Sequence, residues 1–144
     1  MVVKKLIILV VILSTGFLSC KKDKAQPAAD TETLSIENAT VIVAGSLGFS
    51  SETNSGMAKV YQQKYGKYVL ALEKLNLNVN SPSFVIYLSP SEMVLPSSIK
   101  ICSVGKLSGD ILHALPPHID LTIFKYLIIQ TEQSDEIIAS AELN

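Results

Sequence analysis

The sequence contains no GxGxxG, no Walker A loop, no HExxH and no CxxC, and it has no internal repeat. Without the glycine-rich turns there is no backbone cradle for a pyrophosphate, and without the paired ligands there is no ready metal or dithiol site. Gly45-Ser46-Leu47-Gly48 is not a phosphate loop, because no helix opening on Lys-Ser/Thr follows it. An excess of positive charge is also missing: twelve Lys/Arg stand against thirteen Asp/Glu. Nucleic-acid binding needs a clustered basic surface, so that class is excluded. No nucleophile elbow accompanies the serines, and a hydrolase therefore has no motif behind it. No stretch sustains a helical apolar period. Cysteine is scarce, with only Cys20 and Cys102 in 144 residues.

What is present begins with an address. Lys4 and Lys5 precede an unbroken aliphatic run, Leu6 to Leu13, and Ser14-Thr15-Gly16 then lead through Phe17-Leu18-Ser19 to Cys20. Basic, apolar, then small residues is the order of a secretory signal. The apolar core is shorter than the roughly 20 residues a membrane-spanning helix needs. The ending in Ser-Cys resembles a bacterial lipoprotein signal of the loosened kind found in Bacteroidota. The resemblance implies cleavage before Cys20 and acylation of that residue with palmitate-like chains. Two or three chains make such an anchor effectively permanent, at about 0.8 kcal/mol per buried methylene. The expected organisation is a signal segment 1–19, a lipidated Cys20 with a flexible linker over 20–35, and one domain over 36–144. Removal of 1–19 takes two lysines and no acids, leaving a net charge of −3.

From Ile36 onward the chain reads as strands and turns. Ala39–Ser46, Met57–Gln63, Tyr68–Leu77, Phe84–Ser89, Ser98–Leu107, Phe124–Thr131 and Glu136–Leu143 are β-branched or alternating runs, parted by Ser51–Gly56, Tyr65-Gly66-Lys67, Ser81-Pro82-Ser83 and Glu132–Asp135. About eight short strands with turn chemistry between them predict an all-β fold, an antiparallel β-sandwich. Leu70 and Leu72 share one face, and the register then shifts toward Leu75 and Leu77, which predicts a bulge or a strand end. A short helix is expected near Asp110 or over Asp120–Phe124.

Few side chains suggest chemistry. Cys102, left alone once Cys20 is acylated, is expected to be a buried, inert thiol, with a redox role as the alternative. His113, His118 and Asp120 are candidate ligands for zinc, copper or iron from one loop, although Pro116-Pro117 fixes the chain between the histidines and the spacing is no known zinc pattern. Tyr61, Tyr65 and Tyr68 flank a turn and are the expected contact residues. Tyr87 and Tyr126 lie in apolar runs and are expected in the core.

Three stretches in order resemble the DM-thirteen domain. Gly45-Ser46-Leu47 followed by Ser55-Gly56-Met57-Ala58-Lys59-Val60-Tyr61 is similar to its opening. Ser81-Pro82-Ser83-Phe84-Val85-Ile86-Tyr87-Leu88-Ser89 looks like its Gly-Pro-Asp-Leu-x-Val-Tyr-Leu-Ser strand. Leu115-Pro116, Asp120-Leu121, Phe124 and Ala141-Glu142-Leu143 look like its final segment. The resemblance implies a β-sandwich related to DOMON and immunoglobulin-like domains, and an extracytoplasmic electron-transfer role centred on one cysteine. That cysteine falls on Thr131 here, the preceding tryptophan on Gln130, the early histidine on Glu52 and an aspartate on Ser83. A threonine hydroxyl cannot cycle through the oxidation states of sulfur. The expected function is therefore a non-catalytic binding module, lipid-anchored to the inner or outer membrane of the cell envelope, meeting an envelope protein or ligand and needing no cofactor. The alternative is a divergent electron-transfer domain using Cys102, or a metal or haem at the histidines.

Overall fold

Period-two alternation of inward and outward side chains organises nine strands: β1 (Thr40–Ser46), β2 (Gly48–Phe49), β3 (Ser55–Gln62), β4 (Tyr68–Asn76), β5 (Phe84–Ser89), β6 (Ile99–Val104), β7 (Ser108–Ala114), β8 (Tyr126–Thr131) and β9 (Ile137–Glu142). The computed structural model describes residues 34–51 and 53–144. The expected signal 1–19, Cys20, the linker up to residue 33, and Glu52 lie outside the described residues. The strands form two antiparallel sheets, ordered β1-β3-β4-β7 and β2-β9-β8-β5-β6. Ala58, Val60, Leu70 and Leu72 from the first sheet meet Phe84, Ile86, Leu88, Leu127, Ile129, Ala139 and Ala141 from the second in one buried cluster. The fold is a β-sandwich, as the alternation and turn spacing predict.

Both long sides of the sandwich are crossed by short links, each carrying a buried leucine. On one side Leu47 alone joins β1 to β2; on the other Gly105-Lys106-Leu107 joins β6 to β7. The β1 side is also hydrogen-bonded: Ala44 and Asn144 exchange backbone bonds of 3.0 and 3.1 Å. Gly45 permits this approach, since a Cβ there would collide with the Glu142 carbonyl. The expected register shift in β4 is present: pairing with β7 slips between Leu72 and Leu75, and Leu75 returns to the core.

Two expectations are corrected. No helix forms at Asp110, which lies in the edge strand β7; its carboxylate accepts the Lys74 N–H at 2.8 Å and so caps the β4 bulge. Ile111 and Leu112 are both half-buried, so β7 carries no clear alternation to read. Asp120–Phe124 makes a single turn, closed by the Ile123 and Phe124 N–H groups on the Asp120 carbonyl at 3.2 and 2.9 Å. The chain then leaves directly into β8.

Candidate functional site

The residues singled out from sequence are spread over both sheets, although Tyr68, His118 and Asp120 border one recess. Cys102 lies on β6 opposite Ile86, half-buried against the core. Burial pushes its thiol up from its ordinary value, with Lys100 opposing weakly, and this lowers the fraction present as nucleophilic thiolate. His113 is not a loop residue: it lies on β7, paired with Leu70 of β4, and is half-buried. His118 is exposed in the β7–β8 connection, with φ of 64°. The Asp120 carboxylate accepts the Thr122 hydroxyl at 2.6 Å and the Thr122 N–H at 2.9 Å. The Thr122 hydroxyl first, and then its N–H, hold that carboxyl below its usual value. Among the described residues no three His, Cys, Asp or Glu side chains come close enough to hold a metal ion. His113, His118 and Asp120 are thus not assembled as a ligand set.

Thr131 is buried and structural. Its hydroxyl lies 2.6 Å from that of Ser134 and accepts the Glu136 N–H at 3.3 Å, while its own N–H donates to the Glu136 carbonyl at 2.9 Å. It therefore closes the β8–β9 turn. The tyrosines also sort differently from the expectation. Tyr68 packs against the core, and Tyr61 is half-buried with its hydroxyl on Glu73. Only Tyr65 of that trio is open to solvent. Tyr87 and Tyr126 instead point away from the core. They share the outward register of the five-stranded sheet with Ile128 and Ser89, opposite in sense to Ile86, Leu88 and Leu127. Runs such as Phe84–Ser89 are apolar on both faces, so alternation could not tell the two apart.

That outward face holds the clearest binding feature. Val85 and Ile128 are buried on it although they face away from the core. A cleft of about 430 Å³ is lined by Tyr87, Met93, Val94, Gln130, Asp135 and Ile137. A second, about 440 Å³, shares Met93 and is lined by Pro90, Ser91, Glu92, Lys125 and Tyr126. Met93 is 62% exposed and Ile137 36%. The β5–β6 connection that carries Met93 is pinned by Ser89. The Ser89 hydroxyl donates to the Met93 carbonyl, and accepts the Ser98 hydroxyl at 2.9 Å and the Ser91 N–H at 3.3 Å. Gln130 is held by Asp135 at 3.2 Å. An aromatic ring, an adaptable thioether and an aliphatic floor rimmed by an amide and a carboxylate suit an apolar side chain presented on a polar backbone. Sequence reasoning missed Ser89, Met93 and Ile137; the available signal was the short apolar run Met93-Val94-Leu95 inside the serine- and proline-rich segment Ser89–Ser98.

On the opposite outer face, Glu73 accepts the Lys59 ammonium at 2.7 Å and the Tyr61 hydroxyl at 2.7 Å. Tyr61 pairs with Val69, so its ring must run along the sheet past Ala71 to reach Glu73. This accounts for the burial of Ala71 on a face that no other described strand covers. Comparison of the chain with family models, with curated proteins and with solved structures gave no match.

Proposed function

We propose that this chain is a lipid-anchored envelope module of the DM-thirteen type that binds a protein partner without catalysing a reaction. The anchor is argued from the basic, aliphatic and small-residue order that ends at Cys20. The observation that carries the binding reading is the Met93 cleft, an apolar recess held open on a sheet face by the Ser89 hydrogen bonds. The loss of electron transfer is supported by Thr131, whose hydroxyl is committed to the β8–β9 turn. The half-buried Cys102 thiol, with its raised pKa, offers no evident substitute.

The test uses the membrane-associated full chain. A photo-crosslinking residue at position 93 should give a discrete protein adduct in intact envelopes, and Ile137→Lys should weaken it. Absorption spectra should not change between dithionite and ferricyanide. A reversible spectral couple would replace the binding reading with electron transfer. Cys20→Ala should move the chain from the membrane pellet to the soluble fraction.

A further inference from the structure

Among the described residues, the exposed large apolar side chains fall into two groups. Met93 and Ile137 line the cleft just described. The other four are Val41 at 43%, Ile42 at 37%, Tyr65 at 88% and Ile123 at 53% exposure, and all lie at one end of the sandwich. Val41 and Ile42 are near the start of β1, Tyr65 is in the β3–β4 connection, and Ile123 is in the β7–β8 connection. The antiparallel register puts these together: Thr40 is opposite Gln62, Gln62 opposite Tyr68, and Val69 opposite Ala114. One recess of about 570 Å³ is lined jointly by Ile42, Gly66, His118 and Thr122, so the three segments converge on a single rim.

Tyr65 has φ of 70°, the left-handed region that side chains other than glycine rarely adopt. The turn holds its ring outward, with the Lys64 ammonium 5.4 Å from the ring centre. An aromatic ring with a polar tip, a neighbouring lysine and flanking isoleucines is the composition that settles at a headgroup boundary. The chain also enters the domain at this end, where the Ser35 carbonyl accepts the Gln63 side-chain amide. Ser35 is fifteen residues from Cys20, a distance that fifteen residues can stretch to at most roughly 50 Å.

We propose that this end, with Tyr65, Ile42, Val41 and Ile123, rests on a phospholipid surface and inserts its apolar side chains among the headgroups. The proposal deepens the anchoring reading above and rests on it. The tether confines the domain near the bilayer, and the apolar rim fixes which way it faces. The recess between Tyr87, Met93, Gln130 and Ile137 lies on the outward face of the five-stranded sheet and extends away from this end, so it then remains open to a protein partner.

The experiment uses the acylated full chain, carrying Cys102→Ser, in vesicles of phosphatidylethanolamine and phosphatidylglycerol. A fluorophore is placed by Tyr65→Cys, in a second protein by Ile123→Cys with Tyr65 intact, and in a control by Gln133→Cys in the β8–β9 turn at the other end. All three should float with the vesicles. Labels at 65 and 123 should be quenched by brominated lipids at least about twofold more than the label at 133, the pattern of side chains lying at the headgroup–acyl boundary. Flotation with equal quenching at the three positions overturns the seating and leaves the anchor intact. Failure to float overturns the anchor reading, and the seating with it.

Discussion

Ser89 and Met93 are tied to each other: the buried Ser89 hydroxyl donates to the Met93 carbonyl at 2.6 Å. One hydroxyl thus shapes the connection of residues 90–98 from the strand that precedes it. Ser89→Ala should cost about 1 kcal/mol, because the Ser98 hydroxyl loses its acceptor and the Met93 carbonyl keeps only the longer bond from the Ser91 hydroxyl at 3.3 Å. Hydrogen exchange should quicken over residues 90–98 and stay unchanged in β3 and β4. If exchange there is the same as in the parent, the cleft is held by something other than Ser89.

Thr131→Val keeps the shape and removes the hydroxyl. It should cost about 1 kcal/mol, since the Ser134 hydroxyl loses its hydrogen-bond partner and the Glu136 N–H its side-chain acceptor. Chemical denaturation measures this directly. The spectra and redox behaviour of the chain should not move. A variant as stable as the parent would mean that the β8–β9 turn closes without this side chain.

The Glu73 cluster should contribute to both limbs of the pH–stability profile. The Lys59 hydrogen bond, then that of Tyr61, holds the Glu73 carboxyl below its ordinary value of 4.5. A depressed carboxyl pKa contributes stability above the unfolded value, and that contribution is lost as pH falls through the folded one. The Glu73 hydrogen bond raises Tyr61 above 10.0 and Lys59 above 10.5. These contributions are present below those values and disappear as pH rises through the folded ones. Glu73→Gln should therefore flatten the acid limb below about pH 5 when denaturation midpoints are compared. An acid limb as steep as the parent's would assign it to other carboxylates.

Cys102 should react slowly with a thiol reagent in the native state, at least roughly tenfold below an exposed thiol at the same pH, since both burial and the raised pKa suppress the thiolate. Denaturant should restore the ordinary rate. A fast native reaction would show that β6 exposes its inner face.

Much of the fold was legible because most strands carry their own turn chemistry. The β4 bulge could be read from the shift between Leu72 and Leu75, and the β8–β9 turn from its polar residues. β7 was not legible, for at an edge Ile111 and Leu112 are both half-buried and Gly109-Asp110 resembles a turn. The site was less legible than the fold. Tyr87 and Tyr126 lie in runs buried on both faces, and which side of a sheet meets the core is decided by the partner sheet. The role of Ser89 depends on a connection that folds back over its own strand, which no local pattern encodes.

The mutual bond between Ala44 and Asn144 has a consequence for how the domain assembles. It joins positions a hundred residues apart, and long loops are closed late and at an entropic cost that shorter pairings do not bear. The hairpin of β3 and β4 can form early, as its contacts are near in sequence. The first strand can bind β3 at once, but its second edge must wait for residues 142–144. Until they arrive, β1 presents an unpaired edge beside Leu47. A chain emerging in linear order from its N-terminus would expose that edge until its last residues appear, so the vulnerable interval in its folding is set by β1.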